Sequence, residues 1–210
     1  MLKYEEKFHF DRNYEKLQSS SFLHKAIALV WGITGYLLLY YLFKYIFACI
    51  GDFEPWNELK IWLNIGSVKL IKSDLVYFIY GLIAACYGSI RLSEITMQNH
   101  NAKNKEKGIP NKLLITGYYK KVRHPMYGTF IILQAGFMLS LRSFIGMILA
   151  LIVVIVQYIN AGFEEKKQLI PIFGDEYYQY TKKVSRMLLT RFELIVLILA
   201  LLLSVIGYAF

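Results

Sequence analysis

The chain has 210 residues, 56% of them hydrophobic, with 24 Lys and Arg against 15 Asp and Glu, which gives a net charge of +9. A mostly apolar chain with many basic residues is typical of a polytopic membrane protein and argues against a soluble globule. Nucleic-acid binding is disfavoured, because the basic residues lie in loops between apolar segments and not on one compact face.

Five apolar segments predict transmembrane helices, at residues 26–48, 74–92, 126–141, 144–162 and 192–210. The first and last reach the length of about 20 residues that a span requires, and the short third and fourth segments suit a tightly packed hairpin. Residues 56–72 are interrupted by Lys60, Asn64 and Lys69. We expect an interfacial helix there, and an all-α polytopic bundle of about five transmembrane helices overall.

The distribution of basic residues predicts a cytoplasmic N-terminus. The N-terminal tail and the second and fourth loops, with their flanks, carry 19 Lys and Arg, whereas the first and third loops carry four. Cytoplasmic loops are enriched in Lys and Arg, so these three regions are expected to face the cytoplasm. The first twenty residues are polar, and no signal peptide is expected. The basic residues are expected to contact lipid headgroups.

Residues 97–112 form the most polar part of the chain and are predicted to be a mobile loop, with Gly108 and Pro110 as breakers. This loop is interpreted as a connector, or alternatively as a lid. Farther along, only residues 141–143 join the third and fourth apolar segments. Gly136 and Ser140, like Gly146 and Ala150, have the small-xxx-small spacing that permits close helix packing. The cytoplasmic ends of this hairpin should therefore lie side by side.

Polar residues cluster at both of these ends. Pro125 suits the first turn of a helix, whose N-terminus, together with Arg123 and His124, favours an anion. Glu165 supplies the opposite charge, and neighbouring tyrosines offer faces that attract cations. A ligand with a carboxylate and one or two positive centres fits this pattern, and S-adenosylmethionine has a carboxylate, an ammonium and a sulfonium. The tyrosines are Tyr118, Tyr119, Tyr127, Tyr177 and Tyr180.

Each feature alone also has an ordinary structural explanation. Basic and aromatic residues anchor most spans at the interface, and a glutamate pair beside Lys166 and Lys167 forms ion pairs on a solvated helix face. Gly174 and Asp175 are a normal helix stop and N-cap. No disulfide or metal site is expected from Cys49 and Cys86, which stand at or near the ends of different spans.

The order and spacing of these features are more specific. Residues 112–183 resemble the C-terminal half of the integral-membrane methyltransferases that include isoprenylcysteine carboxyl methyltransferase and phospholipid N-methyltransferases. The matching residues are Leu114-x-x-Gly117-x-Tyr119, Arg123-His124-Pro125-Met126-Tyr127, Glu165-x-x-x-Leu169 and Phe173-Gly174-Asp175-Glu176-Tyr177-x-x-Tyr180.

This resemblance implies an S-adenosylmethionine pocket at the cytoplasmic ends of the hairpin and a lipophilic or lipidated acceptor that enters from the membrane. The apolar segments and the motifs together divide the chain into a cytoplasmic or interfacial tail (1–22), N-terminal transmembrane helices (23–96), a cofactor-binding catalytic region (97–190) and a C-terminal transmembrane helix (191–210), the last of which is an addition to the family's pattern. Implied catalytic residues are Arg123, Tyr127 and Glu165. Implied cofactor-binding residues are Gly117, Tyr119, His124, Pro125, Tyr127, Glu165 and Leu169, and implied substrate-binding residues are Arg123 and Lys183.

The chain also departs from the family's pattern. The family usually has two glutamates four and three residues before the leucine that matches Leu169, whereas here Glu165 is followed by Lys166 and Glu164 stands one position early. Glu165 is therefore preferred over Glu164, Pro171 is expected to bend its helix, and the methyl acceptor stays open. A base, Tyr127 or Glu165, is needed only for an amine or thiol acceptor. Two alternatives are a sterol-reductase-like oxidoreductase using NADPH and a non-catalytic membrane interaction protein.

Overall fold

The computed structural model describes residues 22–51, 64–65, 68–69, 73–102 and 112–209. A short 3₁₀-helix, Gly117–Lys120, precedes α3, and a π-helical turn, Glu165–Leu169, joins α4 to α5. Two strands, β1 (Asn64–Ile65) and β2 (Val68–Lys69), pair in antiparallel fashion. The helices are α1 (Phe22–Ile50), α2 (Ser73–Ala102), α3 (Pro125–Ser140), α4 (Phe144–Glu164), α5 (Ile170–Phe173), α6 (Asp175–Lys183) and α7 (Arg191–Ala209).

The prediction of a mainly helical protein with membrane-spanning helices is confirmed. In the described parts of the chain, three helical stretches are long and apolar enough to cross a membrane: Phe22–Ile50, Leu75–Asn99 and Phe144–Phe173. The third stretch includes α4, the π-helical turn and α5. With 16 residues, α3 is shorter than an average span, in keeping with the short hairpin arm that the sequence predicts.

The helix predicted for residues 56–72 is wrong where the structure describes this segment. Residues 64–65 and 68–69 are strands, and the rest of the segment lies outside the described residues. The predicted tail, residues 1–22, also lies outside the described residues except for Phe22, which begins α1.

The loop predicted for residues 97–112 is wrong over its first six residues, because α2 continues to Ala102. Met97 and Gln98 are good helix formers, so the polar composition here marks the end of the apolar segment and not the end of the helix. With 30 residues, α2 is about 45 Å long, which exceeds the hydrocarbon core of about 30 Å. Its last turns therefore extend beyond the apolar span. Residues 103–111 are outside the described part of the chain.

Helix α3 is the centre of the bundle and packs against α2, α4 and α7. Its residues Ile131, Ala135 and Leu139 are buried in one apolar cluster with Ala150 of α4 and Leu197 of α7. The connection between α3 and α4 is residues 141–143, as predicted, and the Ser143 hydroxyl caps α4 by accepting from the Gly146 N–H at 2.8 Å.

The small residues of α3 pack against α2, whereas their spacing suggested close packing against α4 within the hairpin. A Cβ atom on Gly136 would lie 2.7 Å from Ala84 Cβ of α2, and Ser140 lies against Gly81 of α2. Only the small residues of α4 serve the hairpin itself, since a Cβ on Gly146 would lie 2.6 Å from the Met138 carbonyl of α3. Close packing thus extends from α2 through α3 to α4.

The connection between α6 and α7 holds the beginning of α3. The backbone N–H of Arg123 donates to the Arg186 carbonyl at 2.9 Å, and that of His124 donates to the Met187 carbonyl at 2.8 Å. At Gly128, an added Cβ would lie 2.0 Å from the Leu188 carbonyl oxygen, so no side chain fits there. The start of α3 is therefore fixed against residues 186–188 by backbone contacts.

We predict that Gly128→Ala destabilises the protein strongly, by about 1–3 kcal/mol or more, because its methyl group would overlap backbone atoms that cannot move aside. Gly35→Ala is the matched control, since a Cβ at Gly35 of α1 has no atom within 4 Å. It should be neutral or slightly stabilising. Thermal unfolding of the two variants in detergent checks this, and equal melting temperatures would contradict the packing described.

Candidate functional site

The site begins at the N-terminus of α3. Pro125 is the first residue of this helix, a position that proline favours because it has no N–H to pair. The residue before a proline is excluded from helical geometry, and His124 has φ −123° and ψ 69°. Its side chain is almost fully buried, with 4% of its surface exposed, and meets the end of α4.

The end of α4 is shaped by the π-helical turn Glu165–Leu169, in which the Ile170 N–H donates to the Glu165 carbonyl five residues back. A π turn holds one residue more than an α turn. Glu164 stands one position earlier than the family pattern requires, and the one extra residue in the π turn accounts for this offset. Pro171, which has no N–H to donate and is expected to bend its helix, follows this π turn directly.

The two polar segments meet in a compact ionic cluster, defined here as Arg123, His124, Glu164 and Glu165. The His124 Nδ1 lies 3.0 Å from Glu164 Oε2, and its Nε2 lies 2.9 Å from Glu165 Oε1. The Arg123 Nε donates to the same Glu165 Oε1 at 2.8 Å. The juxtaposition expected from the short hairpin is therefore present, and two cations face two carboxylates.

The charge on His124 follows from its partners. Burial alone would lower the pKa of His124, but its hydrogen bonds to Glu164 and Glu165 outweigh that effect, so its pKa is raised above the ordinary value. In the imidazolium form both ring nitrogens donate, one to each carboxylate. His124 is thus a buried cation that holds the two glutamates together.

Arg123 is also committed to the protein. Its Nη1 donates to the carbonyls of Val184 at 3.3 Å and Ser185 at 3.0 Å, in addition to the ion pair with Glu165. These contacts hold Arg123 against the protein, so they favour a structural role, in which Arg123 braces the pocket, over direct contact with an acceptor. Because Glu165 and Glu164 balance the charges of Arg123 and His124, an anion at this end would be attracted by the first turn of α3 rather than by these two side chains.

Glu165 is held by three donors on a single oxygen. Besides Arg123 and His124, the Tyr177 hydroxyl of α6 donates to Glu165 Oε1 at 2.7 Å. Burial and this hydrogen bond raise the pKa of Tyr177, so its phenol stays protonated. Glu165 therefore links the start of α3, the end of α4 and α6. Its role is to hold these three helices together, and it does not line the cavity.

A cavity of about 290 Å³ lies beside the ionic cluster, close to the lower limit for small-molecule pockets. Glu164 borders it with its side chain 31% exposed. The cavity is lined by Asn99, Lys112, Leu113, Leu114, Tyr119, Arg123, His124, Met126, Tyr127, Glu164, Gln168, Leu169, Phe173, Tyr177 and Tyr180.

Most of the predicted site residues meet at this cavity. Tyr119, His124, Tyr127, Leu169 and Arg123 line it directly. The remaining four stand behind or beside it: Gly117, Pro125, Glu165 and Lys183 are absent from the lining.

Of these four residues, Pro125 begins α3 and Glu165 belongs to the ionic cluster, as described above. Gly117 has φ +58°, and a Cβ there would lie 2.8 Å from the Gln98 side chain, so glycine permits the tight start of the 3₁₀-helix. Lys183 is exposed at the last turn of α6.

The aromatic wall is fixed by hydrogen bonds. The Tyr119 hydroxyl donates to Asn99 Oδ1 of α2, and the Tyr180 hydroxyl donates to the Tyr119 carbonyl at 2.7 Å. Asn99 Nδ2 in turn contacts Met126 Sδ at 3.3 Å. Burial raises the pKa of both Tyr119 and Tyr180, so these phenols stay neutral and present polarised aromatic faces.

Sequence reasoning missed the polar lining residues Asn99, Lys112 and Gln168 and underrated Glu164. Asn99 fell in the segment interpreted as a loop, and only the true length of α2 brings it to the cavity. Gln168 stands four residues after Glu164 on the same helical stretch, a spacing that signals a shared face. Lys112 and the glutamate ranked as doubtful, Glu164, also border the cavity. Among the described residues, no group of three or more His, Cys, Asp or Glu is arranged to hold a metal.

Comparison with known proteins agrees with the motifs. The sequence profile of the phospholipid methyltransferase family matches residues 74–176, from the start of α2 to the beginning of α6. This match confirms the predicted resemblance to the membrane methyltransferases, and together with the apolar helices it indicates a membrane methyltransferase. Comparisons with curated proteins and with solved structures gave no match.

We predict that the ionic cluster makes stability depend on pH through His124. Because its folded-state pKa is raised above 6.5, its contribution is fully present below about pH 6.5 and is lost as pH rises through the raised value. Thermal unfolding of the wild type and His124→Asn across this range measures the effect. The difference in melting temperature should shrink as the pH increases, and a difference that grows with pH would contradict the assignment.

Proposed function

We propose that the protein is an S-adenosylmethionine-dependent methyltransferase that acts on a lipid-like or prenylcysteine-like acceptor at the cytoplasmic face of a membrane. The observation that carries this proposal is the cavity itself. An acidic side chain and a wall of neutral tyrosines border it, next to the N-terminus of a helix, and most of its lining residues fall within the segment that matches the methyltransferase family.

The lining has the chemistry that this cofactor requires. The Glu164 carboxylate suits the amino group or the ribose hydroxyls, and the tyrosine faces suit the sulfonium and the adenine ring. The first turn of α3, with Met126 and Tyr127 at the cavity, and the nearby Lys112 suit the carboxylate. The residues present therefore fit the group.

When bound, S-adenosylmethionine supplies an electrophilic methyl group on a positively charged sulfur. The protein's contribution is to align the acceptor with that group and to exclude water. Tyr127, which interacts with Glu164, would border the path of the acceptor. A carboxylate acceptor needs no base. For an amine or thiol acceptor, Glu164 is the better proton acceptor, because Glu165 Oε1 already receives three hydrogen bonds.

The topology belongs to the same proposal. Five spans with a cytoplasmic N-terminus would put residues 112–124 and 164–190, which surround the cavity, on the cytoplasmic side, where most Lys and Arg lie. Exposed apolar side chains along α4, such as Ile152, Ile155 and Ile159, are expected to contact lipid acyl chains. A lipophilic acceptor would then reach the site from the bilayer.

The proposal predicts saturable binding of S-adenosylmethionine and S-adenosylhomocysteine by the purified protein, measured by calorimetry in detergent. NADPH should show none. Incubation with methyl-labelled donor and total membrane lipid should also transfer label to an extractable lipid or lipidated acceptor. Binding of NADPH without binding of the other two would favour the reductase alternative, and binding of none would favour a non-catalytic role.

Substitutions of Glu164 and Glu165 should have different effects on ligand affinity and on melting temperature. Glu164→Gln should weaken S-adenosylhomocysteine binding about tenfold, because Glu164 borders the cavity. It should lower the melting temperature less than Glu165→Gln does, because the amide oxygen can still accept the hydrogen bond from His124. Glu165→Gln should lower the melting temperature clearly, since it weakens the acceptor of three hydrogen bonds. Glu176→Gln, on the exposed side of α6, is the control and should change neither. A loss of affinity confined to the Glu165 variant would reverse the assigned roles.

A further inference from the structure

A second buried ion pair contacts the 118–125 segment and lies outside the cavity lining. Arg91 of α2 has 1% of its surface exposed, and its Nη1 pairs with Glu193 Oε1 of α7. Its Nη2 approaches the Pro125 carbonyl at 3.4 Å, directly after His124. The guanidinium carbon also lies 5.1 Å from the centre of the Tyr118 ring, next to Tyr119.

Glu193 is itself fixed in the first turn of α7. The Thr190 N–H donates to Glu193 Oε2 at 2.8 Å, and the Thr190 hydroxyl accepts from the Glu193 N–H at 3.4 Å, which forms a capping box. The Tyr87 hydroxyl donates to Glu193 Oε1 at 2.7 Å. Arg91 therefore meets an acceptor whose position is determined by the helix that carries it.

The matched family segment ends at residue 176, so α7 and Glu193 lie outside it, whereas Arg91 lies inside it. The segment that carries Tyr119 and His124 is held on one face by Arg91 and on another by the backbone of residues 186–187. Both supports connect directly to the start of α7. This helix thus has a structural link to the cavity that an ordinary membrane anchor would not need.

We infer that Arg91 and Glu193 are positioning residues for the cofactor cavity, and that the start of α7 is an integral part of the site. The inference rests on the proposed function for its effect on cofactor binding. The ion pair orients the 118–125 segment, so that the Tyr119 ring and the His124 imidazolium keep their places at the cavity wall. Neither residue is among those that line the cavity.

Three variants test this inference. Glu193→Gln keeps an oxygen that accepts from the Thr190 N–H but removes the negative charge that forms the ion pair with Arg91. Arg91→Lys keeps the positive charge but lacks the forked geometry that reaches both Glu193 and the Pro125 carbonyl. Ser204→Ala is the matched control, because Ser204 is buried farther along α7 and bonds only within that helix, to the Ala200 carbonyl at 3.1 Å.

Two readouts are needed, both taken well below the melting temperature of each variant. Glu193→Gln and Arg91→Lys should each weaken S-adenosylhomocysteine binding about tenfold, the size expected for coupled neighbours. They should also shift the ring nitrogen resonances of isotope-labelled His124 in the ligand-free protein. Ser204→Ala should leave both unchanged.

A lower melting temperature in these variants with unchanged affinity and unchanged His124 resonances would overturn the inference, since that pattern belongs to a pure anchor of α7. If the wild type binds no S-adenosylhomocysteine but the His124 resonances shift as described, the proposed function fails and the positioning role stands. The ligand-free resonances therefore separate the two failures.

Discussion

The arrangement of the site depends on the contact between His124 and the glutamate pair at the end of α4. A buried imidazolium between two carboxylates is stable only when every charge has a partner at hydrogen-bonding distance, because an unpaired buried charge costs several kcal/mol. Arg123 and Tyr177 complete this set around Glu165. The cluster joins residues about forty positions apart and fixes the distance between the start of α3 and the end of α4.

Three further constraints surround this contact. The three-residue connection between α3 and α4 brings the two helix ends together, and the length of α2 carries Asn99 to the same level. The chain after α6 then pairs its backbone with residues 123–124. These constraints act on the 117–124 segment, which has little regular structure of its own beyond one 3₁₀ turn. The site is therefore built on a short loop made rigid by its neighbours, as a preorganised binding site requires.

Much of this architecture could be predicted from the sequence. Apolar length and basic loops indicated the membrane helices, and the short connection after Ser140 indicated that the two polar clusters meet. Proline at the start of α3 is also the sequence feature that excludes His124 from helical geometry. These features depend on the residue types within one segment and on the lengths of the connections, both of which can be read from the sequence.

Other features depend on tertiary contacts that the sequence does not display. The composition of residues 97–102 is polar, yet α2 continues through them. The spacing of Gly136 and Ser140 reports that a close neighbour exists, but not that the neighbour is α2. The offset of Glu164 looked like a departure from the family, because a π turn has no strong sequence signature apart from the nearby Pro171. The roles of the two glutamates follow only from which one faces the cavity.

The most direct measurement of the central claim is photo-crosslinking with labelled S-adenosylmethionine, followed by peptide mapping. Label that is displaced by S-adenosylhomocysteine should appear on peptides that contain the aromatic residues of the cavity wall, Tyr119, Tyr127, Tyr177 or Tyr180. Displaceable label confined to α1 or to the lipid-facing surface of α4 would contradict the account, because the ionic cluster would then not border the donor site.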